Sequence, residues 1–285
     1  MGLSVGLVCS GVRAEEKLLV SAFRDLGVQL HLVDVRRLGG PLHAWPRGLP
    51  PVDVALLRAK SHWRNVALAR WLEFLDVPVV NPSHVLDICG DKVATSLALA
   101  RSAVPMVPAA AAFSSEGGRA AVEELGYPLV VKPVIGSWGR LVGRVNDEHA
   151  LETVLEHKEA LGGAPHAVTF LQTFVSSGGR DIRTFVIGGR CVAAIARDSE
   201  HWRTNTALGA RVSALDVSDG LGRISVSAAE AVGGGALAVD LFEVDGEYLV
   251  NEVNGTMEFR NSVGPTGVDI PRLLAEHVLG HGSPE

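Results

Sequence analysis

ALAVDLFEVDGEYLVNEVN, residues 236–254, alternates apolar and polar residues on either side of an Asp245-Gly246 dipeptide, which is the pattern of a β-hairpin. Its polar positions are not the Lys or Thr of an ordinary solvated strand. They carry Asp240 in the first arm and Asn251, Glu252 and Asn254 in the second. A two-residue loop at Asp245-Gly246 would put Asp240 and Glu252 on opposite faces of the sheet. A three-residue loop, Val244 to Gly246 with Gly246 in the left-handed bulge position, puts both carboxylates on one face with Asn254 beside Glu252. That register is the one expected here. Two carboxylates and an amide oxygen on one face suit a hard cation such as Mg²⁺, which keeps waters and adds substrate phosphates to such a pair. A solvated polar face is the alternative.

Working outward, the 285-residue chain is long enough for two or three lobes, since single cores stop growing near ~250 residues. Its 47% hydrophobic and 20% charged content is that of a globular protein, and no apolar run approaches the length of a membrane span. MGLSVGLVCSGVRAEEK has no basic leader and no small-residue cleavage site, so it reads as a strand and not as a signal peptide. Cys9, Cys89 and Cys191 are odd in number and far apart, which argues for buried thiols over a disulfide framework or a zinc site. A cytoplasmic protein is expected. A net charge of -6 gives no argument for nucleic acid. Only Lys17, Lys60, Lys92, Lys132 and Lys158 are lysines, so a lysine inside a motif is informative.

The first lobe, 1–85, alternates strand and helix: SVGLVCS, a helix over AEEKLLVSAFRDLG, VQLHLVDV, VDVALLRA, a helix over SHWRNVALARWLEFLD with Ser61 as its N-cap, then VPVVN. This order implies βαβ units and a doubly wound, mostly parallel sheet. No GxGxxG is present, so a dinucleotide cofactor is not indicated. Two short helices meeting at Gly90 open a small central α+β lobe, 86–168, which holds the strands YPLVVKPVIG and RLVGRVN. The third lobe, 169–285, is β-rich, with one helix over ISVSAAEAVGG and a frayed tail at GHGSPE. The fold class is α/β with α+β lobes.

Three further stretches carry chemistry. In GSWGR, residues 136–140, glycines flank a serine and Lys132 lies on the entering strand; free backbone N–H groups and a lysine charge suit phosphate oxygens, while a plain β-turn is the alternative. No GxxxxGK[ST] is present, so it is not a P-loop. Lys92 opens an apolar helix, where a cation opposes the helix dipole; a surface lysine is the other reading. Arg183, Arg197 and Arg203 are spread over the β-rich lobe, placed to converge on anionic groups.

Taken in order, DK, KPVIGSWGR, LQTFV, GRDIRTFV, HWRTN, AVGGG, AVDLFE, NEVNG and MEFRNSV followed by TGVDIP resemble the ATP-grasp superfamily, and within it the carboxylate–amine ligases of the RimK and LysX group. The resemblance covers nearly the whole chain and is strongest to the ligases that work on an amino-group carrier protein. It implies an ATP-grasp fold with ATP clamped between the central and C-terminal lobes. Lys92 and Lys132 would hold phosphates, and Gly136, Ser137, Trp138, Gly139 and Arg140 would form the closing loop. Gln172, Thr173, Phe174 and Val175 would meet the adenine, with Asp181 near the ribose and phosphates. Arg183, Arg197, Arg203 and Asn205 would serve the reacting γ-phosphate, and Asp240, Glu252 and Asn254 would be Mg²⁺ ligands.

The chemistry implied has two steps: a carboxylate takes the γ-phosphoryl group to give an acyl phosphate, and an amine displaces the phosphate. The partner implied is a small acidic carrier ending in glutamate, and the amino acid is α-aminoadipate or, in the arginine branch, glutamate. Glu258, Phe259, Arg260, Asn261 and Ser262 are the residues expected to recognise it. A homodimer or homotetramer is expected by the same resemblance. Three departures stand out: Thr173 where the group usually carries Glu, Gly255 where lysine-pathway members commonly carry His, and Gly264-Pro265 in the next loop. They bear on the substrate more than on the reaction. Competing readings are a ligase adding glutamate to a ribosomal-protein tail or peptide, and a nucleotide-binding protein without turnover.

Overall fold

The computed structural model describes residues 2–136, 139–204 and 209–282. The apolar runs SVGLVC and VALLR become β1 (Ser4–Cys9) and β3 (Val54–Arg58), the two inner strands of a parallel sheet. With β2 (Gln29–Asp34) and β4 (Val79–Val80) they give the order β2-β1-β3-β4. Helices α1 (Ala14–Asp25) and α2 (His62–Phe74) supply crossovers, as parallel pairing requires. Ser61 occupies the N-cap of α2 but makes no side-chain cap bond. Arg13 caps α1 instead, its backbone N–H donating to Glu16 Oε2 at 2.9 Å.

Two short helices follow, α3 (Ser83–Gly90) and α4 (Lys92–Arg101). Asp91 ends one and caps the other, accepting from the N–H groups of Val93 and Ala94 at 2.8 and 3.0 Å. The central sheet runs β5-β8-β6-β7 and is antiparallel throughout: β5 (Ala109–Ala112), β6 (Leu129–Lys132), β7 (Gly143–Val145) and β8 (Thr169–Thr173). Strand β8 therefore completes the central sheet although it lies beyond residue 168. Helices α5 (Ser115–Leu125) and α6 (Glu148–Leu161) cover it, α5 through Ala121, Val122 and Leu125 and α6 through Leu151 and Leu155.

The third sheet has the order β11-β10-β9-β12-β13: β9 (Arg180–Ile187), β10 (Arg190–Asp198), β11 (Arg211–Leu215), β12 (Ala236–Val244) and β13 (Glu247–Asn254). One face carries Ile182, Val186, Leu237, Val239 and Leu241 against α7 (Asp219–Ala231). The other carries Phe185, Ile187, Ile195 and Ala238, packed in one core with Val5, Leu19 and Phe23 of the N-terminal lobe. Strand β11 and helices α8 (Arg260–Thr266) and α9 (Ile270–Gly282) were not expected; α9 extends through Gly280 and Gly282 and packs on α1 and β3.

The β12–β13 hairpin differs from the expected register. Asp245 and Gly246 form a strict two-residue loop, with Val244 opposite Glu247, and both loop residues have positive φ (51° and 82°), as a tight hairpin turn demands. The one-residue shift is taken up further along the strand. Leu241 pairs with Val250, Asp240 pairs with Glu252, and Asn251 is the extra residue of a β-bulge. The two carboxylates thus share a face because of the bulge and not because of the loop.

Asn81 ties the first sheet to this hairpin. Its Nδ2 donates to the carbonyls of Ala236 and Gly255, both at 2.8 Å, and its Oδ1 accepts from Ala236 N–H at 2.8 Å. The side chain is 3% exposed, so no water replaces these bonds when they are lost. Asn81→Leu is expected to cost about 3 kcal/mol or more by leaving buried backbone groups unpaired, read as a lowered urea midpoint; an unchanged midpoint would show that the tie carries no weight.

Candidate active site

The three lobes surround one cleft of about 480 Å³. Its central-lobe wall is built by β6 and β8. Lys132, the last residue of β6, reaches in with its Nζ donating to Gln172 Oε1 on β8 and, at 2.9 Å, to Asn251 Oδ1. The bulge residue therefore has a partner: it meets the lysine of the opposite wall. Burial holds the Lys132 ammonium down at about 8, Lys92 acts in the same direction, and Glu252 and Asp240 oppose them. Lys92, at the first position of α4, donates to the Gly136 carbonyl at 3.1 Å and lies 4.0 Å from Glu252 Oε2. The backbone N–H of Lys92 donates to Val134 O at 3.1 Å, which fastens α4 to the segment leading into the glycine-rich loop.

The C-terminal sheet supplies an ordered row of charges. Cross-strand register sets Glu252 opposite Asp240, Asp240 opposite Arg183, and Asp181 opposite Arg197. Arg183 grips Asp240 through Nε and Nη2, both at 2.7 Å, in the planar fork that suits a carboxylate. Arg197 grips Asp181 through Nε at 2.7 Å and through Nη2, and also reaches Asp240 Oδ1 at 3.2 Å. Asn254 Nδ2 donates to Asp240 Oδ2 at 3.4 Å. Burial drives the Asp240 carboxyl up, and the two guanidinium groups outweigh it and hold it at about 2. Burial raises Asp181 despite Arg197.

Most of the expected residues come together here. Gly136, Gly139 and Arg140 line the cleft, as do Gln172, Thr173, Phe174 and Val175. So do Asp181, Arg183, Arg197 and Arg203, and the trio Asp240, Glu252 and Asn254. Asp181 is 4% exposed and committed to Arg197, so it orients that arginine and is not an open ligand for ribose. Arg144 lies over the Phe174 ring at 3.9 Å, and Trp202 meets the same ring edge-on. Ser137, Trp138 and Asn205 fall outside the described residues.

The expected substrate loop is only partly at the cleft. Glu258 lines it. Phe259 does not: its ring is fully buried in the core beneath Arg58. Ser262 is 1% exposed and sits in the first turn of α8, and Arg260 and Asn261 are exposed residues outside the cleft lining. Arg260 faces Glu15 at 3.8 Å. Residues not expected at the site from the sequence also line the cleft. Arg13 and Lys60, in the connections after β1 and β3, and His62 and Trp63, in the first turn of α2, line the N-terminal end of the cleft. A signal for them existed, because ligands of open parallel sheets bind beyond the carboxyl ends of the strands, where the strand order reverses.

Lysines from two elements face paired carboxylates across a cleft between lobes, an arrangement suited to a phosphorylated ligand. Residues 89–278 match the RimK-like ATP-grasp domain and residues 5–88 the LysX preATP-grasp domain. The chain belongs to the RimK-like ATP-grasp family and is an ATP-dependent carboxylate–amine ligase. It is 33% identical over 279 residues to the glutamate–LysW ligase ArgX of Sulfurisphaera tokodaii, covering 97% of this chain and 98% of that one. It is also 33% identical over 280 residues to the alpha-aminoadipate–LysW ligase LysX of the same organism, covering 96% and 97%. The crystal structure of a RimK domain ATP-grasp protein from Sphaerobacter thermophilus superposes with a TM-score of 0.78 at 26% identity, covering 97% of this chain and 100% of that one.

Asp181→Ala is expected to destabilise the protein by about 3–5 kcal/mol, because it strands the buried Arg197 charge beside a single remaining carboxylate. Chemical denaturation checks this, and a loss below 1 kcal/mol would mean that water reaches Arg197.

Proposed function

We propose that the enzyme joins an acidic α-amino acid to the side-chain carboxylate of a C-terminal glutamate on a small acidic amino-group carrier protein. The amino acid in this reading is α-aminoadipate. The observation that carries the reading is the continuity of one cleft from Phe174 and Val175, past Lys132 and Lys92, to the carboxylates and on to Glu258. Among the described residues, the lysines, arginines and carboxylates on which the two-step chemistry would call all line it. Kinship at 33% identity to two LysW ligases supports the carrier as partner.

In the first step a carrier carboxylate oxygen attacks the γ-phosphorus and ADP leaves, giving an acyl phosphate. In the second the amine attacks the acyl carbon, inorganic phosphate leaves, and the amide remains. Phosphoryl transfer asks the protein mainly for position and charge. Lys132 and Lys92 neutralise phosphate oxygens from the central-lobe side, and Arg183, Arg197 and Arg203 do so from the sheet. Asp240, Glu252 and Asn254 would hold Mg²⁺. Two carboxylates and an amide are hard oxygen donors, and they fit such an ion in kind. When bound, the ion neutralises charge on the phosphates and helps to orient them. Asp240 already accepts from both Arg183 and Arg197, so it would share its oxygens between cations.

Glutamate is the second reading, and Gly255 favours it. A Cβ at this position would meet Cys89 Cβ at 3.2 Å and Leu86 Cδ2 at 3.3 Å. The imidazole common in lysine-pathway members is absent, and any side chain on this position would press on α3. The acidic carrier would be drawn to the local Lys and Arg groups of the cleft and not to a protein whose net charge is -6. The reading includes a homodimer or homotetramer, to be measured by light scattering.

Intact-mass analysis of the carrier after incubation with enzyme, ATP and Mg²⁺ tests the reading. A gain of one α-aminoadipate less one water is expected, a gain with glutamate alone would select the second reading, and Glu252→Ala should abolish either gain without unfolding the protein. A second expectation concerns pH. Lys132 carries its charge below about pH 8 and loses it above, so ATP affinity should fall as pH rises through about 8. Calorimetric titration reads this, and Lys132→Arg, charged throughout, should flatten the profile.

A further inference from the structure

Beyond the carboxylates the cleft floor runs from Asn254 to Glu258, four residue-to-residue steps that span at most ~14 Å. There the C-terminal lobe meets the N-terminal one in a pair of opposite charges: Arg13 Nη1 donates to Glu258 Oε1 at 2.8 Å. Both residues line the cleft. A buried charge, Glu16, which has no solvent exposure, holds Arg13 directly and the Glu258 segment through Arg58. Its carboxylate takes Arg13 Nε at 3.1 Å and Arg13 Nη2 at 3.0 Å, and on the far side accepts Arg58 Nε at 2.9 Å. Arg58, 2% exposed, turns Nη1 to the Met257 carbonyl at 3.0 Å, which fixes the backbone immediately before Glu258. The two groups of the pair are thus set in place before any ligand arrives.

A guanidinium has five N–H donors. Arg13 commits three of them to Glu16 and Glu258, leaving one on each terminal nitrogen uncommitted among the described residues. Glu258 has no protein donor to Oε2 among those residues. Two unused N–H donors for a carboxylate therefore stand beside one unused acceptor for an ammonium. The pair is neutral as a whole, so it favours a ligand that is also neutral and carries both charges a few ångströms apart.

We propose that Arg13 and Glu258 form the docking pair for the α-amino acid substrate, Arg13 receiving its α-carboxylate and Glu258 its α-ammonium group. This rests on the carrier-ligase reading and adds to it a specificity-determining residue from the N-terminal lobe. It also places the amine on the far side of Asp240, Glu252 and Asn254 from the nucleotide hinge, the side from which it meets an acyl phosphate formed at the γ-phosphate. The pair recognises the part common to all α-amino acids, so discrimination between α-aminoadipate and glutamate falls to the rest of the cleft.

The test compares ligands as well as variants. Glutamate, α-aminoadipate, their α-carboxamides and the des-amino acids glutarate and adipate are titrated by calorimetry into the full-length enzyme loaded with Mg²⁺ and a non-hydrolysable ATP analogue. The wild type is expected to bind one amino acid at least about tenfold more tightly than its α-carboxamide or its des-amino analogue, a charge-assisted bond being lost in each case. In Arg13→Gln the ratio of amino acid to α-carboxamide should collapse toward one while affinity for the ATP analogue is kept; in Glu258→Gln the ratio to the des-amino acid should collapse. A ratio unchanged in both variants would overturn the pairing and leave the ligase reading standing. A wild type that holds the ATP analogue but binds neither amino acid would overturn both. If Arg13→Gln does not fold, the wild-type series still decides, since equal binding of the α-carboxamide overturns the proposal.

Discussion

A single extra residue in β13 governs how this enzyme is put together. The type of turn at Asp245-Gly246 fixes the pairing of Val244 with Glu247, and carried unbroken along the strands that register would turn Glu252 away from Asp240. Asn251 interrupts it. On the turn side Tyr248 and Val250 face α7; beyond the bulge Val253 returns to that core, and Glu252 and Asn254 come round beside Asp240. The bulge residue then serves as an acceptor for Lys132 of the opposite lobe. One irregularity thus aligns the acidic group, keeps the apolar face continuous and joins two walls of the cleft.

The sheet face carrying this acidic group is divided along its length. Toward one end Phe185, Ile187, Ile195 and Ala238 are buried against the N-terminal lobe. Toward the other, positions of the same parity become Arg183, Asp181, Arg197 and Asp240. Charges so deeply placed are costly unless each is paired, and removal of one partner costs more than the pair contributes. Here two arginines and two aspartates satisfy one another, so the charges are available to a polyanionic ligand without being orphaned in its absence. Arg183 is the more exposed of the two arginines, at 17% against 5%, and Arg197 is the fixed member, clamped by Asp181. The preorganised charge that phosphoryl transfer requires is part of the fold.

Much of this was legible from residues alone, and what was hidden follows a physical rule. Alternation and strand–helix order pointed to most of the strands that form the three sheets, because binary patterning reports burial directly. The motifs brought Lys92, Lys132, Asp240, Glu252 and Asn254 to notice because each is a polar residue set in an apolar context. The bulge escaped because two routes, a longer loop or an inserted strand residue, put the carboxylates on one face, and only three-dimensional pairing distinguishes them. Strand β11 has no strong alternation, and α8 contains Pro265 within its span, so local signals for both were weak. Phe259 and Ser262 were misread for a different reason: their stretch leaves the cleft after Glu258 and turns into the core, a change of direction that composition does not record.

Arg13 shows the limit most clearly. It lies 245 positions from Glu258 in the chain, and nothing in SGVRAEE marks it out from the cap of an ordinary helix. Its Glu16 partner even completes a capping box, which is sufficient local reason for both residues. Only tertiary contact reveals that the same carboxylate also holds Arg58, and that Arg58 holds the backbone of Met257. A helix cap in the first lobe has become part of the scaffold of a cleft completed by the last. The coupling runs through paired charges, so the N-terminal and C-terminal lobes cannot shift against each other here without breaking the Arg13–Glu258 and Arg58–Met257 contacts that Glu16 holds in place from the N-terminal side. Rigidity at this end of the cleft and ligand-facing groups at its surface therefore arise from the same four side chains.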